Sequence, residues 1–298
     1  MSEVYQSSIN MNQAEEAHQP KVSVVLGSGG LKPIASVALF DLLKEEQIPV
    51  DLLLGCSGGS IYGAMYAMGY QTDEMIEITK SFLEDKGFSA YDYQSILSIG
   101  NLPGGKFDLS RGLLKQEAAL KNCGAVFKDT LLEELPIKTM LQTTNIQTGE
   151  GVLLEKGLLA EAVYASAAMY PIISPLYMDG RWLADGAYSE PLPITKAVVN
   201  KSDIIISMVF NEQVMSKPRG FLDSFYNISR VYTQALTRSQ LAMAINLHHY
   251  EMIIISPEFK KPFSFDDPSN IDELVEIGRQ AVEVKRDEIL TAISNYSK

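Results

Sequence analysis

The sequence predicts an α/β protein, a three-layer α/β/α sandwich around a central, mostly parallel sheet. Three observations carry this expectation. Short, β-branched apolar runs alternate along the chain with segments whose apolar residues recur at helical spacing. Two early junctions between such segments are glycine-rich, Gly27-Ser28-Gly29-Gly30 and Gly55-Cys56-Ser57-Gly58-Gly59. No internal repeat or break in composition divides the 298 residues, so the alternation belongs to one layered domain.

Residues 1–20 lack periodicity and read as a loose tail ending at Pro20. Residues 21–26 form a buried strand, and residues 33–46 a helix through Val37, Leu39, Leu42 and Leu43, with Pro33 in its first turn. Residues 50–54 are a second buried strand, and residues 58–68 a helix closed by Gly69. Thr72 is the expected N-cap of a helix to about Asp85. An irregular stretch containing Gly100, Pro103, Gly104 and Gly105 follows, then a helix over 110–122. Residues 136–144 and Gly151–Leu154 read as strands joined by the turn Gln147-Thr148-Gly149, and residues 158–168 as a helix. Two Asp-Gly turns flank Trp182. Residues 204–210 and 252–256 are further strands separated by a long helix over 221–248, and Asn270 with Glu273 forms a capping-box signal for the last helix.

The bulk numbers narrow the function classes. With 46% hydrophobic and 21% charged residues the chain has an ordinary globular composition. Its longest apolar runs fall well short of the roughly 18 residues of a membrane span. The N-terminal segment has neither a basic region nor an apolar core of signal-peptide type, so a cytoplasmic location is expected. Two cysteines, Cys56 and Cys123, make no disulfide framework, and with three histidines they form no metal-ligand spacing, so no cofactor and no metal are expected. A net charge of −12 opposes nucleic acid and allows at most transient contact with anionic membranes.

Gly55-Cys56-Ser57-Gly58-Gly59 matches G-x-S-x-G, the turn that holds a serine at its tip between a strand and a helix. The helix that follows directs its N-terminus at developing negative charge. Consecutive glycines in Gly27-Ser28-Gly29-Gly30-Leu31-Lys32 leave backbone N–H groups unobstructed, as an oxyanion hole requires. A dinucleotide fingerprint fails there because its third glycine falls on Lys32, and a P-loop fails because no Gly-Lys-Ser/Thr follows.

Taken together, VVLGSGGLKPIASVALFDLLKEEQIPVDLLLGCSGGSIYGAMYAMGY resembles the start of a patatin-like phospholipase domain. The resemblance continues through TTNIQTGEGVLL and reaches Leu183-Ala184-Asp185-Gly186-Ala187, similar to the family's Asp-Gly-Gly/Ala motif, followed by Pro191-Leu192-Pro193. It covers about residues 21–210, and it implies a hydrolase domain over 21–298 of the single-domain type. It also implies Ser57 as nucleophile, Asp185 as its base, and the N–H groups of Gly29 and Gly30 as oxyanion hole. Lys32 falls where the family usually has a basic residue, and it reads either as a solvated loop lysine or as a substrate-binding contact for an anionic head group. Pro33, Cys56 and Gly58 depart from the family's usual residues.

The expected chemistry is release of fatty acid from phospholipid, lysophospholipid or related acyl esters through an acyl-enzyme, with Asp185 raised in pKa by burial. Acyl transfer or thioester hydrolysis by the same residues, and a non-catalytic lipid- or protein-binding module, are the alternatives. A Ser57, Asp185 and His248 or His249 triad has the chain order of an α/β-hydrolase. However, the histidine pair ends a helix and precedes a strand, where a helix C-terminal role suffices. Cys56 reads as packing, and the stretch 88–106 and the helix near 221–247 are the expected walls of an acyl pocket.

Overall fold

The computed structural model describes residues 19–84, 95, 97, 103, 105, 106, 108–211, 213–261, 263 and 267–296. Residues 1–18 of the expected tail and most of the stretch 88–106 lie outside the described residues.

Eight strands make one mixed sheet. These are β1 (Val22–Leu26), β2 (Leu52–Cys56), β3 (Lys138–Asn145), β4 (Gly151–Leu154), β5 (Leu176–Met178), β6 (Arg181–Asp185), β7 (Ile204–Met208) and β8 (Glu251–Ile255). Their order is β5-β6-β3-β2-β1-β7-β8, with β4 paired to β3. The five strands β3, β2, β1, β7 and β8 run parallel, and β4, β5 and β6 add an antiparallel edge. Every residue of β1, β2 and β7 is buried, as a parallel sheet covered on both faces requires.

Side chains alternate between two cores with the strand period of two. Val22, Val24, Leu26, Ile204 and Ile206 share one core with α1 (Val37–Glu45), α2 (Gly58–Ala67), α5 (Leu159–Ser166) and α8 (Ile271–Tyr296). Val25, Leu52, Leu54 and Ile205 face α6 (Ile194–Val199) and the end of α7 (Phe221–Leu247). The helices α3 (Thr72–Glu84) and α4 (Gln116–Phe127) complete the set. The three-layer α/β/α architecture with a mostly parallel sheet is therefore as the sequence predicts. Among the described residues, no helix is long and apolar enough to cross a membrane.

Several boundaries differ from the sequence expectation, each for a tertiary reason. Strand β2 starts at Leu52 because Asp51 is used in a turn, its carboxylate accepting from the Val22 N–H. The helix expected over 110–122 begins only at Gln116. Asp108 holds the Ser110 N–H at 3.0 Å, and the Leu113 and Leu114 N–H groups donate to Pro171 and Ile172, committing this backbone to another segment. Thr72 opens α3, but its hydroxyl donates to Asp41 of α1, while Glu74 accepts from the Gln71 N–H at 2.8 Å. The Asn270/Glu273 capping box does not form, because Glu273 pairs with Lys261 and Asp267 accepts from the Ser269 N–H instead.

Gly278 shows packing overriding propensity. Alanine in a helix interior gains about 1 kcal/mol over glycine, yet a Cβ at Gly278 would lie 2.2 Å from the Ala35 carbonyl oxygen. That carbonyl belongs to the 3-10 turn Lys32–Ser36, on which α8 packs. Gly278→Ala is thus expected to lower stability by about 1–3 kcal/mol, the range for overpacking, read by urea unfolding. A more stable variant would show that α8 can shift freely.

Candidate active site

The site lies at the carboxyl ends of parallel strands, where ligands sit in open α/β sheets. Strand β1 runs into the loop from Gly27, β2 ends one residue before Ser57, and β7 ends just before Val209 and Phe210. These ends border one cavity of about 570 Å³ that also contains Asp185.

Ser57 stands at the tip of a sharp turn with φ 55° and ψ −125°, a strained conformation for a residue with a Cβ. Close backbone packing keeps it there. Its carbonyl accepts from both the N–H and the hydroxyl of Ser60. Its N–H donates to Ser166 Oγ at 3.1 Å, and Ser166 in turn donates to the Gln142 carbonyl at 2.7 Å, so α5 and β3 hold the turn from behind. The flanking glycines leave no room for side chains. A Cβ on Gly58 would lie 2.0 Å from the Gly30 oxygen, and one on Gly59 would lie 2.5 Å from the Gly27 oxygen.

Asp185 reaches Ser57 from across the sheet. Cys56 pairs with Gln142 in the β2–β3 register, and Thr143 pairs with Asp185 in the β3–β6 register. Two strand steps therefore bring residues 57 and 185 together. The Ser57 hydroxyl donates to Asp185 Oδ2 at 2.7 Å, and Oδ1 accepts from the Ala187 N–H at 2.9 Å. Asp185 is only 3% exposed. Burial pushes its carboxyl up to about 6, and the Ala187 N–H and the Ser57 hydroxyl oppose that rise.

The loop Gly27–Lys32 is anchored at its start and free in its middle. The Gly27 N–H donates to Met208, that of Ser28 to Pro191, and that of Lys32 back to Gly29. Gly30 has φ 60°, and among the described residues the N–H groups of Gly29 and Gly30 donate to none, while both residues border the cavity. Pro33 opens the 3-10 turn, where an N–H is not needed, and its ring packs against both Gly29 and Gly58. Lys32 is not a solvated loop lysine. It is 3% exposed, borders the cavity, and places Nζ 5.8 Å from the centre of the Phe259 ring.

The structure separates His248 and His249 from this group. His248 is hydrogen-bonded to the Glu251 carbonyl at 3.3 Å, burial lowers its pKa, and neither it nor His249 borders the cavity. Cys56 is fully buried under the turn, its thiol pushed up by burial and then by Asp185 and Glu190. Among the described residues no group of His, Cys, Asp or Glu is arranged to hold a metal ion. Helix α7 forms a wall of the cavity, as the sequence suggested, and Lys106 of the other expected wall does not border it. Sequence reasoning missed the supporting Ser166, the wall at Leu113, Leu114, Met169 and Ile172, and the α7 residue Arg230. None of these carries a motif.

The chain is similar to several known proteins. An uncharacterized NTE family protein of Mycobacterium tuberculosis is 27% identical over 224 residues, covering 75% of this chain and 58% of that protein. Lysophospholipase nte1 of Aspergillus oryzae is 28% identical over 207 residues, 68% of this chain and 12% of the relative. The chain thus spans well under two thirds of these relatives. Among solved structures, human GIVD cytosolic phospholipase A2 matches with a TM-score of 0.52 at 11% identity, covering 95% of this chain and 60% of that one. VipD from Legionella pneumophila matches with a TM-score of 0.50 at 13% identity, covering 91% and 67%. At such identities the two structures establish the shared fold alone. Residues 24–198, more than half of the chain and including both Ser57 and Asp185, match the family described as Patatin-like phospholipase, and the protein belongs to that family.

Proposed function

We propose that the protein is a serine acyl-hydrolase that releases fatty acid from phospholipid, lysophospholipid or related acyl esters. The observation that carries this reading is the 2.7 Å hydrogen bond from Ser57 Oγ to a buried Asp185 in a cavity bordered by Gly29 and Gly30. A hydroxyl already donating to a carboxylate needs no further group to lose its proton.

In the first half-reaction Ser57 Oγ bonds to the acyl carbon as its proton passes to Asp185 Oδ2. The N–H groups of Gly29 and Gly30 donate to the oxyanion, aided by the N-terminus of α2. Collapse breaks the ester bond, and the leaving alkoxide takes the proton from Asp185. In the second half a water gives its proton to Asp185 and bonds to the acyl carbon, and Ser57 Oγ leaves with that proton. Lys32 is assigned to an anionic group of the substrate. The acting unit comprises residues 21–298, in the cytoplasm, with the lipid reached by transient apolar contact because the net charge is −12.

The test is free fatty acid release from a lysophospholipid and from p-nitrophenyl esters, with an acceptor alcohol added in parallel. Release supports hydrolysis, transfer to the alcohol shifts the reading to an acyltransferase, and turnover of no ester contradicts both. The base must be ionised, so kcat/KM is expected to rise about tenfold per pH unit up to about 6 and then level. A profile that falls as pH rises through 6 would remove Asp185 from the role of base.

A further inference from the structure

The cavity has two walls of opposite character. One is aliphatic, formed by Leu113 and Leu114 against Met169 and Ile172, and tied into a unit by the Leu113–Pro171 and Leu114–Ile172 backbone bonds of 2.8 and 2.9 Å. The other is one face of α7, which presents positions 223, 226, 230, 233, 234 and 237 at helical spacing, none of them aliphatic. Arg230 stands in the middle of that face, 9% exposed.

Its support is built rather than incidental. Arg230 Nη1 donates to Asn227 Oδ1 at 3.3 Å. Asn227 is fixed at both ends of its amide, Oδ1 accepting from the Met215 N–H at 2.9 Å and Nδ2 donating to the Met215 carbonyl at 2.8 Å. Arg219, also at the cavity, pairs with Asp223 at 3.1 Å. Among the described residues bordering the cavity, the three cations Lys32, Arg219 and Arg230 stand with two carboxylates, Asp185 and Asp223, in a chain whose net charge is −12. Positive charge concentrated where the rest of the surface is acidic selects for an anion.

Building on the acyl-hydrolase reading, we infer that Arg230, seconded by Arg219 at the mouth, binds an anionic phosphate on the alcohol side of the ester, while the acyl chain lies on the aliphatic wall. A planar guanidinium is the group best matched to phosphate oxygens. The two walls set the direction in which an amphiphile enters and so which carbonyl meets Ser57. The volume, about 570 Å³, lies in the range that holds one modest ligand, which favours a substrate with a single chain and a single phosphate.

The test compares one acyl chain on three alcohols: lysophosphatidate, lysophosphatidylcholine and the neutral monoacylglycerol, with p-nitrophenyl butyrate as a fourth ester. The parent protein is expected to prefer the phosphate-bearing esters. Arg230→Gln is expected to lower the ratio of kcat/KM for lysophosphatidate over monoacylglycerol by about 10- to 100-fold, the worth of a charge-assisted hydrogen bond. Arg230→Lys, keeping charge without the fork, should recover part of it. If only lysophosphatidate is affected, the site reads a terminal phosphate, and if both phospholipids are affected, it reads the diester as well. Equal loss on all four esters would make Arg230 structural, and no preference in the parent protein would equally overturn the inference while leaving hydrolysis intact. No turnover of any ester overturns the hydrolase reading and this one with it.

Discussion

Ser57→Ala is expected to bring ester hydrolysis down to the buffer blank while leaving the fold unchanged. Alanine keeps the Cβ, so the φ of 55° costs no more than in the parent, and the N–H still meets Ser166. Only the hydroxyl is lost, and its hydrogen bond goes to Asp185. Removing a nucleophile of this kind costs up to about 10⁶ in turnover, whereas the stability change should stay within about 1 kcal/mol. Progress curves for a p-nitrophenyl ester beside a thermal melt report both. Turnover above the blank in a folded variant would point to another nucleophile.

The second large effect is at Asp185. Asp185→Asn replaces the carboxylate that accepts the Ser57 hydrogen bond and, on the proposed mechanism, is expected to cost about 10²–10⁴ in kcat/KM. The double variant His248→Ala, His249→Ala should retain most activity, because neither imidazole borders the cavity. The same carboxylate has a stability consequence of opposite sign. Its folded pKa of about 6 lies above the ordinary 3.8, so the folded state retains a proton that the unfolded chain gives up. Stability therefore falls as pH rises from about 4 to about 6 and stays lower above that, by at most about 3 kcal/mol. Asp185→Asn should flatten this dependence and be the more stable protein at pH 8, a trade between stability and function common at active sites. Urea unfolding at pH 4.5 and pH 8 measures it. A variant less stable than the parent at pH 8 would show that the lost hydrogen bonds outweigh the relieved burial.

Local signals told much and long-range ones little. Ser57 was legible because G-x-S-x-G follows a buried apolar strand, and the structure shows that strand running to Cys56. The glycines at 29, 30, 58 and 59 were legible as freedom. Their actual use is close approach: a Cβ on Gly58 would meet the Gly30 oxygen, one on Gly59 the Gly27 oxygen, and one on Gly29 the Phe210 side chain. Asp185 stood out from Asp179, also followed by glycine, only through the family resemblance. Asp179 with Gly180 closes the β5–β6 hairpin at positive φ, while Asp185 ends β6 beneath the cavity. What joins Asp185 to Ser57 is the register of β3 between them, and register across a sheet leaves no mark in either segment. The misplaced helix at 110–122 failed for the same reason, since its first residues pair with 171–172. Arg230 was invisible because two arginines, Arg230 and Arg238, in a 27-residue helix are ordinary until the helix is seen to cover a cavity.

The central claim, that Ser57 is activated by Asp185 to attack acyl carbonyls, is tested most directly by labelling with a fluorophosphonate and mapping the adduct by mass spectrometry. Such a probe phosphonylates a serine only when its oxygen is nucleophilic. The account predicts one adduct per chain on the peptide containing Ser57, absent from Ser57→Ala and strongly slowed in Asp185→Asn. It also predicts an unchanged labelling rate in the His248→Ala, His249→Ala double variant. No adduct on the folded parent protein, or an adduct at Ser57 whose formation depends on the histidines and not on Asp185, would contradict it.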